Sequence, residues 1–320
     1  MKMSLAKMLA MWAVLASIFL AQGAKSRYED ASTGLLESDW YVAAQDLPML
    51  NDFCENWEGL QHAHVFDLFS HSKRVCQAFQ RKGFRGLTFD IRSCHYEDIL
   101  SKSGFLLALQ SALELCEHGL LMVAPPCSLF VPISASVHRR KAEQPYGNIN
   151  NKRVRMSTLI AQNCGILISL ILCWRPTIRL IVEQPKGSML WKLPTFVSLI
   201  QAFGLSFVLT YLGFFGMDIL KGSHLLTNME QAGALARRAT KEAKQKFIAR
   251  VNSKFEKRHA AGRRAKVYYT CGTNEAGKKT FTGGKDLGST SCYPKRFARA
   301  IFAVWHKYYQ LATSNDQEGQ

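Results

Sequence analysis

Apolar positions along this chain follow two alternating rhythms: short unbroken runs, and longer stretches whose apolar residues recur every three or four positions. The short runs are His64-Val65-Phe66-Asp67-Leu68-Phe69-Ser70, Gly86-Leu87-Thr88-Phe89-Asp90-Ile91, Leu120-Leu121-Met122-Val123, and residues 178–182 and 205–212. Such runs predict strands covered on both faces. Between them, Val75, Cys76 and Phe79 keep helical spacing across residues 72–82, and Gly83 supplies a stop. Ser103 is the expected cap of a helix that carries Phe105, Leu106, Leu109, Leu113 and Cys116 on one face and ends near Gly119. Residues 156–174 hold no charge, a length that raises the question of a membrane span. Thr158, Gln162, Asn163 and Gly165 interrupt the run and a strand follows at once, so a buried helix is expected. A further helix is read over residues 197–203. Alternation of this kind predicts a mostly parallel α/β sheet with helices on both faces, which binds its ligands at the carboxyl ends of its strands.

The flanks are patterned differently. Lys2 and Lys7 precede an uncharged run over residues 8–24, and Ala21-Gln22-Gly23 offers small residues where a signal peptidase cuts. Residues 1–23 are therefore expected to be a signal peptide or an N-terminal anchor, which points to the secretory pathway or a membrane. Residues 24–61 are mixed and weakly patterned, with Trp40, Tyr41 and Trp57 expected to pack as an extension on a domain spanning 62–228. A basic helical segment at 229–266 follows as an insertion. The last portion, 267–320, reads as a hairpin around residues 274–277 and a helix opened by Pro294 that carries Phe297, Ile301, Val304, Trp305 and Tyr308 as an apolar stripe.

Composition then narrows the partners. The 320 residues are 48% hydrophobic and 20% charged with a formal net charge of +17, so the chain is globular and suited to a polyanion, nucleic acid first and a membrane surface second. Residues 237–266 hold twelve Lys or Arg against Glu242 and Glu256, more positive charge than solubility requires. Arg237, Arg238, Arg263 and Arg264 are the expected nucleic-acid contacts there; a solvated charged helix is the alternative. Nine cysteines include no CxxC pair and no ligand-spaced Cys/His cluster, so no metal site is expected. His71, His95 and His138 have no partner at informative spacing and read as surface or loop residues.

The chemistry concentrates at two strand ends. Ala124-Pro125-Pro126-Cys127-Ser128 places a thiol on a proline-stiffened turn, and Glu183-Gln184-Pro185 places a carboxylate at the end of the next strand. A nucleophile and a proton partner over one pocket are what addition to an aromatic ring needs. A lone thiol at a strand end is more often inert, and a lone Glu can cap a turn or pair with Lys186. Arg139, Arg140, Lys141, Lys152, Arg153 and Arg155 flank a loop centred on Pro145, Tyr146 and Gly147, which can close over a phosphate backbone or simply be a solvated basic loop.

Val65-Phe66-Asp67-Leu68-Phe69-Ser70, Asp90, Ala124-Pro125-Pro126-Cys127-Ser128 and Glu183-Gln184-Pro185-Lys186-Gly187-Ser188 follow one another in the order of the cytosine-5 DNA methyltransferase family. The chain resembles a divergent, phage- or protist-type member over residues 62–310, with Leu212-Gly213-Phe214-Phe215-Gly216, Lys221-Gly222 and Tyr293-Pro294 resembling its downstream segments. The resemblance implies a Rossmann-like methyltransferase fold and S-adenosylmethionine as cofactor. Asp67, Phe69, Ser70, Asp90 and Pro125 would then bind the cofactor, Phe69 against adenine and Asp90 on the ribose hydroxyls. It also implies Cys127 as the nucleophile adding to carbon 6 of a flipped cytosine in DNA or RNA, with Glu183 on ring nitrogen 3. Two departures stand out: His71, Ser72, Lys73 and Arg74 replace a glycine-rich turn, and Gln184 replaces an Asn. A catalytically inactive nucleic-acid-binding relative is the alternative these departures leave open.

Overall fold

The computed structural model describes residues 46–262, 264, 266–273 and 279–318. The signal-like segment 1–23, Trp40, Tyr41, Arg263 and the hairpin tip 274–277 lie outside the described residues.

Six strands form one sheet: β1 (Ala63–Leu68), β2 (Gly86–Phe89), β3 (Leu115–Val123), β4 (Arg179–Pro185), β5 (Ser206–Tyr211) and β6 (Gly222–Thr227), in the order β2-β1-β3-β4-β6-β5. The pairs β1/β2, β1/β3 and β3/β4 are parallel, while β6 runs against both β4 and β5. One reversed strand explains why the link from Tyr211 to Gly222 is short: an antiparallel neighbour needs no crossover helix. The architecture is α/β with a mostly parallel sheet, compatible with a Rossmann-like fold.

Side chains alternate strictly between two cores. Phe66 and Leu68 of β1, Leu121 and Val123 of β3, and Leu180 and Val182 of β4 join one cluster. Val65, Leu120, Met122 and Ile181, from the intervening positions, join the other. The first cluster is roofed by α1 (Leu47–Glu55), α3 (Lys102–Leu113), α4 (Lys152–Trp174) and α5 (Pro194–Phe203); the second by α2 (Arg74–Gln80) and α7 (Lys295–Glu318). Helices on both faces are thus present as the alternation predicts. Trp305 of α7 is fully buried and packs at a tilt of 44° against Phe79 of α2, with ring centroids 4.6 Å apart. Between α5 and α7 in the chain come β5, β6 and a basic helix, α6 (Lys241–Ala260); a two-stranded hairpin, β7 (Tyr269–Thr273) and β8 (Lys279–Gly283), stands apart from the main sheet.

Among the described residues α4 is the one helix long and apolar enough to cross a membrane, but 89% of its most apolar window is buried inside the protein. It is a core helix. Gly165 lets it approach α5, because a Cβ there would lie 2.3 Å from Thr195 Cγ2.

Three expectations change. The helix expected to run to near Gly119 stops at Leu113, and Leu115 already pairs with Ala63. Leu109 and Leu113 do lie on the buried face of the helix; Cys116 continues their helical spacing, but strand pairing at Leu115 overrides it. Between Ala63/Leu115 and Val65/Leu120 the register jumps, so Cys116 to Gly119 form a bulge with His118 at a φ of 61°. The cap is Ser101, not Ser103: its Oγ accepts from Gly104 N at 3.0 Å. Ser101→Ala is expected to cost about 1 kcal/mol in chemical denaturation, against a negligible effect of Ser103→Ala. The weakly patterned extension contains α1, whose Leu47, Leu50 and Cys54 are buried, and Trp57 packs on the same core.

Candidate active site

The strand order changes direction at β1, with β2 on one side and β3 on the other, and a parallel sheet opens a crevice at that point beyond its carboxyl ends. Three strand ends that carry predicted residues are joined there. Ala124 N donates to Leu68 O at 3.2 Å, and Phe69 N to Phe89 O at 2.7 Å, which ties the ends of β1, β2 and β3 together.

The turn after β1 is unusual. Phe69, His71 and Lys73 have φ values of 63°, 24° and 52°, left-handed backbone that disfavours residues with a Cβ. Hydrogen bonds hold it there: His71 N donates to Asp90 Oδ2 at 2.8 Å, and Lys73 N to Ser70 O at 2.6 Å. Arg74 Nη1 donates to Tyr293 O. Asp90, buried, also accepts from Arg92 N at 2.9 Å through Oδ1, so it organises two loops at once. Asp67 lies wholly inside the protein and its Oδ2 accepts from Cys76 N at 3.4 Å, which caps the start of α2 from the preceding strand. Burial, with the Asp90 charge adding, pushes the Asp67 carboxyl up to about 7. The Ser70 hydroxyl is buried and has no hydrogen-bond partner among the described residues.

The second half of the site is built on β3 and β4. Val123 pairs with Val182, so Cys127 and Glu183 leave adjacent strand ends. Gln184 Nε2 donates to Pro125 O at 2.6 Å and Ser188 Oγ to Gln184 Oε1 at 3.0 Å, which fixes the Pro-Pro turn against β4. Cys127 is half-buried. Desolvation raises its thiol; Lys221 opposes this and Glu183 adds to it. The sulfur therefore feels both charges. Glu183 is 5% exposed, accepts from Tyr293 Oη at 3.0 Å through Oε2, and faces Lys221 Nζ at 3.6 Å through Oε1. That ion pair is too long for a hydrogen bond, and Oε1 remains a buried acceptor with none among the described residues. Burial, with Glu183 beside it, raises the Tyr293 hydroxyl well above the usual phenol range.

Tyr293 and Lys221 carry no role in the sequence reading although both belong to the cluster. Tyr293 reaches Glu183 across 110 positions of chain, and no local pattern reports such a contact. Lys221, next to β6, is legible only once β6 is known to lie beside β4.

The basic residues divide. Arg139, Lys141, Lys152 and Arg153 are exposed and Arg155 is half-buried, in keeping with a basic rim. Arg140 is not part of it: it is 5% exposed and donates to Leu129 O, Pro145 O, Tyr146 O, Val154 O, Ser157 Oγ and Thr158 Oγ1 at 2.8 to 3.2 Å. Its guanidinium lies 4.1 Å from the centroid of Phe130. This arginine clamps the loop from inside, a correction to its expected role on phosphate. His138, expected at the surface, is also buried; its Nδ1 accepts from Arg140 N at 2.9 Å and its Nε2 lies 3.0 Å from Val131 O. Arg237 and Arg238 are exposed, with Arg237 partly engaged over Phe215. Arg264 makes a bidentate pair with Asp286 at 2.9 and 3.0 Å, so its charge is already compensated.

Among the described residues no group of three or more His, Cys, Asp or Glu is placed to hold a metal ion. No protein-family model, curated protein or solved structure matches this chain.

Proposed function

We propose that this chain is an S-adenosylmethionine-dependent methyltransferase of the cytosine-5 type, acting on DNA, with RNA as the alternative substrate. The observation that carries the reading is the shared cluster: a thiol and a carboxylate on neighbouring strand ends, with one buried carboxylate oxygen lacking a hydrogen bond. An acceptor of that kind suits the amine-bearing edge of a cytosine, since a buried oxygen without a hydrogen bond is costly and the exocyclic N–H can supply one. Cys127, as thiolate, adds to carbon 6 of a flipped cytosine, which makes carbon 5 nucleophilic. Glu183, held in place by Tyr293 and Lys221, shares a proton with ring nitrogen 3 and so takes up the charge that thiolate addition sends there. S-adenosylmethionine would supply an electrophilic methyl group, its sulfonium leaving as a neutral thioether; loss of the carbon 5 proton to solvent and expulsion of the Cys127 thiolate from carbon 6 then restore the ring.

The crevice residues fit that cofactor at one end. The Ser70 hydroxyl is an unpaired buried polar atom beside the switch point, Phe69 is partly buried against the core, and Asp90 stands at the end of β2 with lone pairs left beyond its two backbone donors. The turn backbone keeps left-handed φ at His71 and Lys73, where the family resemblance calls for glycine. The glycines of the family's turn are absent, and this favours the second reading, a fold that binds nucleic acid without methylating it. Calorimetric titration with S-adenosylmethionine separates the two. Saturable one-to-one binding, with labelled methyl appearing in nucleic acid, is the expected result; absence of binding together with salt-sensitive nucleic-acid affinity selects the non-catalytic reading.

A further inference from the structure

A cleft of about 510 Å³ opens between α6, the start of α7 and the turn before α2. Arg74, Arg250, Lys254, Lys257, Lys295 and Arg296 line it, and among the described residues no acidic one does. None of the six belongs to the cluster around Cys127.

Helix α6 gives the cleft its character. It has 20 residues and none is buried. Between Lys241 and Ala260 it carries seven Lys or Arg against two Glu, so like charges face one another at helical spacing, an arrangement that weakens an isolated helix. It is fastened by its cations: Arg250 donates to Gly213 O at 2.9 Å and Met217 O at 2.7 Å, and Lys254 pairs with Asp218. Arg250, Lys254 and Lys257 fall on one face. Rising about 1.5 Å per residue, they stand about 6 Å and about 4.5 Å apart along the axis. Lys295 and Arg296 open the 24-residue α7, whose positive dipole end adds to the field.

Resting on the reading of a nucleic-acid substrate, we propose that this cleft is the track for the substrate's phosphate backbone. A row of cations facing two more from another helix suits a linear polyanion held along its length, as a lipid surface met by one flat face would not be. Its position makes sense for catalysis: Tyr293 accepts from Arg74, a lining residue, on its carbonyl and donates its hydroxyl to Glu183, so one residue links the cleft wall to the reacting cluster.

The test is fluorescence anisotropy of a labelled oligonucleotide on the full chain, without cofactor, across a salt series. The Lys257→Gln, Lys295→Gln double variant removes two exposed cleft charges; Lys82→Gln with Lys307→Gln, exposed and outside the cleft, removes the same charge elsewhere. The cleft pair is expected to flatten the slope of log affinity against log salt by about 2, with the comparator close to the parent. An equal effect of both pairs, or none from either, overturns the proposal. Binding to vesicles containing phosphatidylserine, with none to the oligonucleotide, overturns it in favour of a lipid surface. Because no methyl transfer is measured, a chain that binds no cofactor yet shows the slope change keeps the cleft and loses the methyltransferase reading.

Discussion

Cys127→Ser is expected to lower methyl incorporation into nucleic acid by about three orders of magnitude or more, or about 4 kcal/mol of lost transition-state stabilisation. The substitution exchanges one small side chain for another at a half-buried position, so the melting temperature should move little. What changes is nucleophilicity, since a serine hydroxyl has no accessible anion at neutral pH. The site sets the pH dependence too. Burial raises the Cys127 thiol and Lys221 holds it back, so turnover and alkylation by iodoacetamide should both climb as pH rises past the ordinary thiol range. Lys221→Met removes the restraining cation and should displace both profiles further to alkaline pH. Undiminished methyl incorporation by the serine variant is the outcome that defeats the assignment, and coincident profiles for parent and methionine variant would dissociate Lys221 from the thiol.

Much of the sheet was legible because the inner strands β1 and β4, buried on both faces, leave unbroken apolar runs, and the half-exposed edge strands β2 and β5 still lie close to where shorter apolar runs fall. The thiol and carboxylate were legible for the same reason: both sit where an apolar run stops. What escaped was long-range. Nothing near Leu113 distinguishes a continuing helix from a strand pairing with Ala63, and nothing near Arg140 distinguishes a solvent-facing arginine from one that satisfies six oxygens inside a loop. A guanidinium enters the interior when enough carbonyls converge on it; burial lowers the Arg140 pKa only to about 10, so it stays charged and hydrogen-bonded. Tyr293 completes the acid's surroundings from near the far end of the chain, visible only after α7 docks.

Asp67→Asn is expected to change the pH dependence of stability by about 4 kcal/mol between pH 4 and pH 8. An unfolded Asp titrates near 3.8, while this one titrates at about 7 in the folded chain because it is desolvated, with Asp90 adding its charge. Between those values the folded protein holds a proton that the unfolded chain has released. Stability attributable to this group is therefore complete below about pH 4, declines as pH rises through 7, and stays reduced above it. Asparagine has no such titration and keeps an oxygen for Cys76 N. Its extra N–H donors impose a roughly constant cost, which cancels when the parent and variant are compared across pH. Denaturant unfolding at pH 4.5 and pH 8 should find the variant gaining on the parent at the higher pH, and a difference that does not vary with pH would remove Asp67 as its source. The same variant separates two roles for this carboxyl: if it only caps α2, affinity for S-adenosylmethionine is unchanged by Asn, whereas a carboxyl that also meets the cofactor loses affinity with its charge.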